Sequence, residues 1–257
     1  MTDNNAGLPL VAHLRELRRR LVISALAVAA GFGVSYYYST QLYDILTRPL
    51  VSAMPSGERY LVYTSIVEPF FLYMKVGLIG GIILASPVIL YQVWGFIAPG
   101  LQRAEKRWFV AVVAGSLLLF ISGTLFAYYL VFPFGFKYLL SFSSTELKPL
   151  LSMSEYFSMV TKLLLAFGLV FQTPLGILVL ARLGIVTAKQ LLSWWRYALV
   201  GILIAAAVLT PTPDVFNQML MAGPLIVLYV LGIILAVVFG KKKDGEARLE
   251  PDEEGGP

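Results

Sequence analysis

The sequence predicts an all-α polytopic membrane protein with six transmembrane helices and both termini in the cytoplasm. Of its 257 residues, 58% are hydrophobic and 14% are charged, and the mean hydropathy is +0.77. Soluble domains average about 45–50% apolar and 25% charged residues. Six separate apolar runs are long enough for helices, since one bilayer crossing uses about 20 apolar residues. This composition leaves little chain for a soluble domain.

The six predicted spans cover residues 21–38, 72–94, 108–132, 156–181, 195–209 and 215–239. The first span follows Arg18, Arg19 and Arg20, as the apolar part of a secretory signal peptide would. It exceeds the about 7–15 residues of such a segment and lacks a polar stretch leading to a cleavage site. We therefore interpret it as a retained helix.

Basic residues predict the orientation, because short loops rich in Lys and Arg stay in the cytoplasm. Lys75 and Lys162 fall within spans, where snorkelling of the ammonium group to the interface explains them. Four basic residues lie on the far side, namely Arg48, Arg59, Lys137 and Lys148. The other fourteen lie on the side of the N-terminus: Arg15, Arg18, Arg19, Arg20, Arg103, Lys106, Arg107, Arg182, Lys189, Arg196, Lys241, Lys242, Lys243 and Arg248.

The exported segments 39–71 and 133–155 are long enough for short helices lying over the membrane, whereas residues 210–214 form a bare turn. The prolines of this turn cannot extend a helix, and Asp214 is expected to cap the sixth helix. We expect the fifth and sixth helices to be short, since the fifth spans about 22 Å of a roughly 30 Å core. Residues 1–240 form one transmembrane domain, and the Gly-, Pro- and charge-rich tail 241–257 is predicted to be disordered.

The sequence lacks the residues of common catalytic and cofactor chemistry. It has no cysteine and one histidine, His13. The phosphate loop GxxxxGK[ST], HExxH and GxSxG are all absent. We therefore predict no enzyme, no catalytic residue, no metal and no cofactor. Nucleic acid is not an expected partner, because the net charge of +5 reflects membrane topology.

Three polar residues have two open interpretations each. Gln172 lies inside the fourth span, where its amide either bonds a neighbouring helix or the carbonyl freed by Pro174, or faces a functional cavity. Glu16 and Glu105 lie among basic residues on the predicted cytoplasmic face. They are either solvated acids paired with nearby arginines or acceptors for two guanidinium groups of a ligand.

Several sequence blocks resemble the TatC family, the multi-spanning subunit of the twin-arginine protein translocase. The blocks are HLRELR at 13–18, SPVILYQVW at 86–94, FIAPGL at 96–101 with Glu105 following, FAYY at 126–129 and TPDVFNQ at 212–218. They occur in the family's order and cover nearly the whole chain. The resemblance agrees with the six spans and cytoplasmic termini derived above.

The resemblance implies a receptor for twin-arginine signal peptides in the bacterial cytoplasmic (inner) membrane. It would work with TatA/TatB-type single-span subunits, as a homo-oligomer within the complex, to export folded proteins using the proton motive force. By position, the signal-recognition residues would be Glu16, Arg18, Phe96 and Glu105. Glu16 and Glu105 would accept the two guanidinium groups, and Phe96 and Leu101 would offer apolar contact. Arg18 would orient a carboxylate or tune its charge.

Four further positions are candidates for partner binding or assembly. Pro49, Asp214 and Gln218 resemble functional family positions, and Gln172 would line a groove for a single-span subunit. Many family members carry glutamate at the position of Gln172, so a polar side chain suffices there and Gln172 relays no protons. The rival hypothesis is an ion-coupled small-solute transporter, suggested by Gln172, Asp214 and Gln218 near the membrane interior.

Overall fold

A computed structural model describes residues 7–54, 61–97, 106–142, 150–210 and 214–240. These residues are almost all helical, and the one β-bridge in the described ranges joins Val62 to Ser152. The predicted all-α membrane fold is confirmed. The predicted site residues Leu101 and Glu105 and the tail 241–257 lie outside the described residues.

Ten α-helices and one π-helical turn follow each other along the described chain. In order they are α1 Gly7–Tyr37, α2 Ser39–Ala53, α3 Glu68–Ile97, α4 Lys106–Phe126, the π turn Ala127–Val131, α5 Phe132–Leu140, α6 Met153–Val170, α7 Thr173–Arg182, α8 Ala188–Ser193, α9 Trp195–Leu209 and α10 Val215–Phe239.

Six helical stretches correspond to the six predicted spans. Five are long and apolar enough to cross a membrane, and α9 is a shorter apolar helix. The five are Val11–Tyr37, Glu68–Ile97, Arg107–Leu140, Met153–Arg182 and Val215–Phe239. An even number of crossings brings the start of α1 and the end of α10 to the same end of the bundle. We call this the basic end, and the end where α3 and α6 begin the opposite end.

Only the fifth span is short. Helix α9 has 15 residues, about 22 Å of rise. Helix α10 has 25 residues, about 37 Å, so the expectation of a short sixth helix is wrong. Pro224 lies within α10 without ending it. Transmembrane helices tolerate such a proline because neighbouring groups satisfy the freed carbonyl.

Two spans differ from the predicted continuous helices. The third continues past Phe132 to Leu140 through the π turn, which shortly precedes Pro133. The residues that follow Phe132 are therefore a helical extension of the span. The fourth span is broken by a turn at Phe171 and Gln172, and the helix restarts with Pro174 in its first turn.

The break in the fourth span follows from proline chemistry. Pro174 has no N–H for the carbonyl of Val170 four residues earlier, and the hydroxyl of Thr173 donates to that carbonyl instead at 2.6 Å. The backbone N–H of Gln172 bonds Leu169 rather than Gly168. The chain therefore passes from α6 to α7 through one tight turn that leaves the carbonyl of Gly168 to a side chain.

Helices α1 and α3 pack closely through glycine. A Cβ on Gly31 would lie 2.6 Å from the carbonyl oxygen of Gly81, and one on Gly81 would lie 2.6 Å from the backbone nitrogen of Phe32. Small residues let transmembrane backbones approach each other in this way. The crossing holds the first two spans as a pair and aligns the start of α1 with the end of α3.

The largest buried apolar cluster lies toward the opposite end, where α2, α5 and α6 meet. Phe132, Phe157 and Phe167 are almost inaccessible to solvent within it. A second cluster around Trp94 and Phe109 joins α3, α4 and α7 closer to the basic end. The spans are thus held together on both sides of the membrane midplane.

Candidate functional site

The basic end brings one face of α1 against the end of α3. His13, Glu16 and Arg20 share this face because they are three and seven residues apart on a continuous helix. The HLRELR block is helical, although the predicted first span begins only at residue 21. Residues Gln92 to Phe96 form the facing last turns of α3.

Arg20 binds the Glu16 carboxylate and also reaches α3. Its Nη2 and Nε donate to Glu16 Oε1 at 2.6 and 3.0 Å, and its Nη1 donates to the Gln92 carbonyl at 3.2 Å. The Arg20 side chain is 15% exposed, whereas that of Glu16 is 42% exposed. The guanidinium is therefore mostly covered, and the carboxylate that it binds is partly exposed.

Gly95 provides the space for this guanidinium. The nearest atoms to a Cβ placed on Gly95 would be Nη1 and Cζ of Arg20, close enough that the guanidinium would have to move. Gly95 is itself buried at the end of α3. Gly95 therefore lets the guanidinium of Arg20 lie directly against the backbone of α3.

His13 and Phe96 stack one helical turn from Glu16. Their ring centroids are 4.4 Å apart and the planes differ by 19°. Such offset aromatic pairs contribute about 0.5–1.5 kcal/mol beyond their buried area. The stack places the Phe96 ring against His13, one helical turn along α1 from Glu16.

Arg18 lies elsewhere. It is exposed, and in the described part of the chain it makes no hydrogen bond or ion pair. Residues two apart do not share a helix face, so the structure brings Arg20 rather than Arg18 to Glu16. Glu105, the other candidate carboxylate, lies outside the described residues.

Gln172 is bonded entirely within the chain. Its Nε2 donates to the carbonyls of Ser116 at 3.1 Å and Gly168 at 3.3 Å. Its Oε1 accepts from the Ser116 hydroxyl, which accepts from Trp94 Nε1 at 3.0 Å. These bonds favour packing between helices over a cavity-facing role. The carbonyl freed by Pro174 is bonded by Thr173, not by Gln172.

A polar cluster lies where α10 begins. Asp214 caps α10 as predicted, with Oδ1 accepting from the Asn217 N–H at 2.8 Å. Its Oδ2 accepts from Asn217 Nδ2 at 3.0 Å, and Gln218 Nε2 donates to the Leu203 carbonyl in α9 at 3.1 Å. These bonds tie the short α9 to the start of α10.

Pro49 explains how α2 is bound at the opposite end. It lies buried inside α2 and leaves the Ile45 carbonyl without its helical donor. The Tyr128 hydroxyl from the π turn donates to that carbonyl at 2.8 Å, and Tyr156 donates to the adjacent Leu46 carbonyl at 2.6 Å. The proline therefore creates an acceptor that ties α2 to the third span.

Within the described residues, no group of three or more His, Asp or Glu side chains is placed to hold a metal ion. The basic end instead offers a partly exposed carboxylate, a stacked aromatic ring and several arginines. The partly exposed carboxylate can accept a guanidinium group, because guanidinium and carboxylate pair in bidentate geometry.

Comparison with known proteins identifies the family. The sequence profile described as Sec-independent protein translocase protein (TatC) matches residues 12–224. This chain belongs to the TatC family. A TatC protein from Desulforapulum autotrophicum is 46% identical over 238 residues, which cover 93% of this chain and 87% of the relative. One from Aquifex aeolicus is 43% identical over 238 residues, covering 92% and 98%.

Solved TatC structures share the fold. A crystal structure described as the twin-arginine translocase receptor TatC is 42% identical and matches with a TM-score of 0.76, over 88% of this chain and 98% of that chain. A second, in the detergent DDM, matches with a TM-score of 0.78 over 90% and 100%. The six-helix interpretation of this TatC chain thus agrees with experimental relatives.

Sequence reasoning missed Arg20, His13, Asn217 and Ser116 as parts of these polar arrangements. For Arg20 the signal was present, because Glu16 and Arg20 have the i,i+4 spacing of a helical ion pair. The prediction places HLRELR ahead of the first span rather than on the same helix, and so does not pair Glu16 with Arg20. Nothing in the sequence pairs Ser116 with Gln172, which lie 56 residues apart.

Proposed function

We propose that this protein is the receptor subunit of a twin-arginine translocase and binds the signal peptides of folded proteins at its basic end. The observation that carries the proposal is the Glu16 carboxylate, which is bound by Arg20 and lies one helical turn from the His13–Phe96 stack. Related TatC structures are described as twin-arginine translocase receptors, which supports the same function.

In this mechanism Glu16 and Glu105 accept the two guanidinium groups of the signal peptide. Phe96 and Leu101 pack against the peptide beside them. Exposed ion pairs are worth about 0–1 kcal/mol, so the apolar contacts and exclusion of water have to add to the affinity. Arg20 keeps Glu16 in one orientation, and Arg18 adds basic charge to the same helix.

The same proposal includes the cellular setting. The basic end faces the cytoplasm of a bacterium, the spans cross its inner membrane, and both termini are cytoplasmic. Single-span TatA/TatB-type subunits and further copies of this chain join the complex, and the proton motive force drives export. The skew of basic residues toward one end supports this orientation. No catalytic step by this subunit is required.

We assign assembly with single-span subunits to the opposite end. Asp214 and Gln218 lie at the start of α10, and Gln218 ties this helix to α9, a span of only 15 residues. Pro49 ties α2 to the third span. Gln172, which is bonded through Ser116 to Trp94 closer to the basic end, contributes to assembly indirectly by holding α4 against the junction of α6 and α7. The transporter hypothesis is disfavoured, because the Gln172 amide is bonded to protein and Asp214 serves as a helix cap.

Photo-crosslinking to a twin-arginine signal peptide tests the proposal with the protein in its membrane. We expect capture of the twin-arginine peptide and much weaker capture of its double-lysine version, because lysine cannot form bidentate pairs. Glu105→Ala should weaken capture far more than truncation after Phe239. Equal capture by those two variants, or of the two peptides, would overturn the assignment.

A matched acid at the opposite end provides the control. Glu155 is exposed near the start of α6, and Glu155→Gln removes the same charge as Glu16→Gln. Capture should fall for Glu16→Gln and stay at the wild-type level for Glu155→Gln. Charge reversal, Glu16→Lys, should reduce capture further than neutralisation because it adds repulsion.

A further inference from the structure

Two lysines lie within predicted membrane spans near the opposite end. Lys75 is in α3, seven residues after its start at Glu68, and Lys162 is in α6, nine residues after its start at Met153. Ionisable groups at such positions are costly in hydrocarbon and point to a functional partner. The signal-receptor function proposed above uses neither lysine.

Ser158 joins the two lysines on one surface. Lys75 Nζ donates to Ser158 Oγ at 2.8 Å, which connects α3 to α6. Lys162 follows Ser158 by four residues and therefore lies on the same face of α6, where it is exposed. Two ammonium groups and one hydroxyl thus share the seam between these helices.

Within the described ranges, neither lysine forms an ion pair with a carboxylate. The ion pair between Glu16 and Arg20 lies at the basic end. The acids close in sequence are Glu68 and Glu155. Glu68 accepts from the backbone N–H groups of Thr64 and Ser154, and Glu155 is exposed near the start of α6. Neither acid forms an ion pair with Lys75 or Lys162 within the described ranges, so both ammonium groups can bind an anionic group.

The depth of the lysines fits the lipid phosphates. Each of the two 30-residue spans rises about 45 Å, which exceeds a hydrocarbon core of about 30 Å by roughly 7 Å at each end. The backbone of Lys75 then lies about 3 Å, and that of Lys162 about 6 Å, inside the hydrocarbon core. Side chains in helices lean toward the helix N-terminus, so both lysines extend toward the headgroups at the opposite end.

We propose that Lys75, Ser158 and Lys162 form a binding site for the phosphate of an anionic lipid in the leaflet at the opposite end. The two ammonium groups bind the phosphate oxygens as point charges, and the Ser158 hydroxyl helps to position them. The acyl chains lie along α3 and α6. The bound lipid contacts both lysines and so links the second and fourth spans.

Lipid retention by the purified full-length protein tests this site. The protein is placed in nanodiscs of equimolar phosphatidylglycerol and phosphatidylcholine, released by mild detergent exchange, and analysed by native mass spectrometry. Wild type should retain phosphatidylglycerol preferentially. Lys75→Gln with Lys162→Gln should lower the retained ratio about 25-fold, since each basic residue near an anionic surface contributes about a fivefold factor.

Three further variants separate binding from folding. Lys162→Gln alone leaves the Lys75–Ser158 bond intact and should lower retention about fivefold, while replacement of both lysines by arginine should preserve it. Lys137→Gln removes an exposed charge from α5 at the same end and should have no effect. Equal retention by Lys162→Gln, the double glutamine variant and Lys137→Gln would overturn the proposal.

Discussion

At the level of single residues, Arg20 is the side chain on which the proposed recognition carboxylate depends. Its guanidinium bonds both Glu16 and the Gln92 carbonyl, so the position of the carboxylate relative to α3 is set by this arginine. The sequence block had directed attention to Arg18, which is exposed. A basic residue near an acid in the sequence contacts it in a helix only at the right spacing.

Arg20→Gln should weaken signal-peptide binding about fivefold, because losing a part-buried charge pair corresponds to about 1 kcal/mol. Arg20→Lys should fall between this variant and wild type, since lysine lacks the planar fork that spans both acceptors. Titration of a fluorescent signal peptide onto protein in nanodiscs measures the effect. Arg19→Gln, at an exposed neighbour, is the control, and an equal loss in that variant would contradict a specific role for Arg20.

Gln172 should contribute to stability more than to signal binding. Gln172→Leu leaves the Ser116 and Gly168 carbonyls without its amide and should cost about 1 kcal/mol, as interhelical hydrogen bonds in membranes do. Thermal unfolding in detergent measures this loss, and signal-peptide capture at low temperature should be retained. Leu169→Ala at an exposed neighbour is the control. Loss of capture without loss of stability would instead favour a direct functional role.

At the level of helices, the crossing of α1 and α3 aligns the two sides of the candidate site. Gly31 lies against the backbone of Gly81, whereas a Cβ on Gly33, two residues later, would have no neighbouring atom within 4 Å. Their contexts differ although both glycines are in the same helix. The sequence shows both glycines but not which one faces α3, since packing decides this.

This pair gives a matched test. Gly31→Ala should separate α1 from α3, lower the unfolding temperature and weaken signal-peptide capture. Gly33→Ala should be neutral or stabilising by up to about 1 kcal/mol, because alanine favours helix over glycine. Thermal unfolding and capture are measured on both variants. A similar response of the two variants would contradict the close crossing.

The Asp214 cap can be separated from a charge-dependent role in assembly. Asp214→Ala should destabilise α10 by about 1 kcal/mol through loss of the cap. Asp214→Asn preserves capping but removes the charge. Stability measured by thermal unfolding should therefore be restored in the asparagine variant. If assembly depends on the Asp214 charge, co-purification of single-span subunits should remain impaired in Asp214→Asn. Full recovery of co-purification in that variant would show that capping alone matters.

For the whole molecule, composition and apolar run length predicted the fold well because the bilayer sets both. The six spans, the short fifth helix and the Asp214 cap follow from apolar run length and proline chemistry. The helical start at Gly7 and the extension to Leu140 were missed, because helices continue past the hydrocarbon. The hydrogen bonds of Arg20 and Gln172, and those near Pro49, join residues that are distant in sequence or depend on helix register. Hydropathy reveals neither.

Orientation is testable because the chain has no cysteine. Single cysteines in place of Arg15 and Lys189 should be inaccessible to a membrane-impermeant maleimide added outside the inner membrane. Cysteines in place of Lys137 and Glu155 should react. Labelling all four after lysis controls for reactivity. Reaction of position 15 or 189 from outside would contradict cytoplasmic placement of the basic end.

The most direct test of signal recognition by Glu16 is a double-mutant cycle. Binding of the twin-arginine peptide and of peptides with either arginine changed to glutamine is measured on wild type and Glu16→Gln in nanodiscs. We predict that one arginine couples to Glu16, so that its replacement weakens binding to wild type about fivefold but has little effect on the variant. Equal losses on both proteins for both arginines would contradict direct pairing with Glu16.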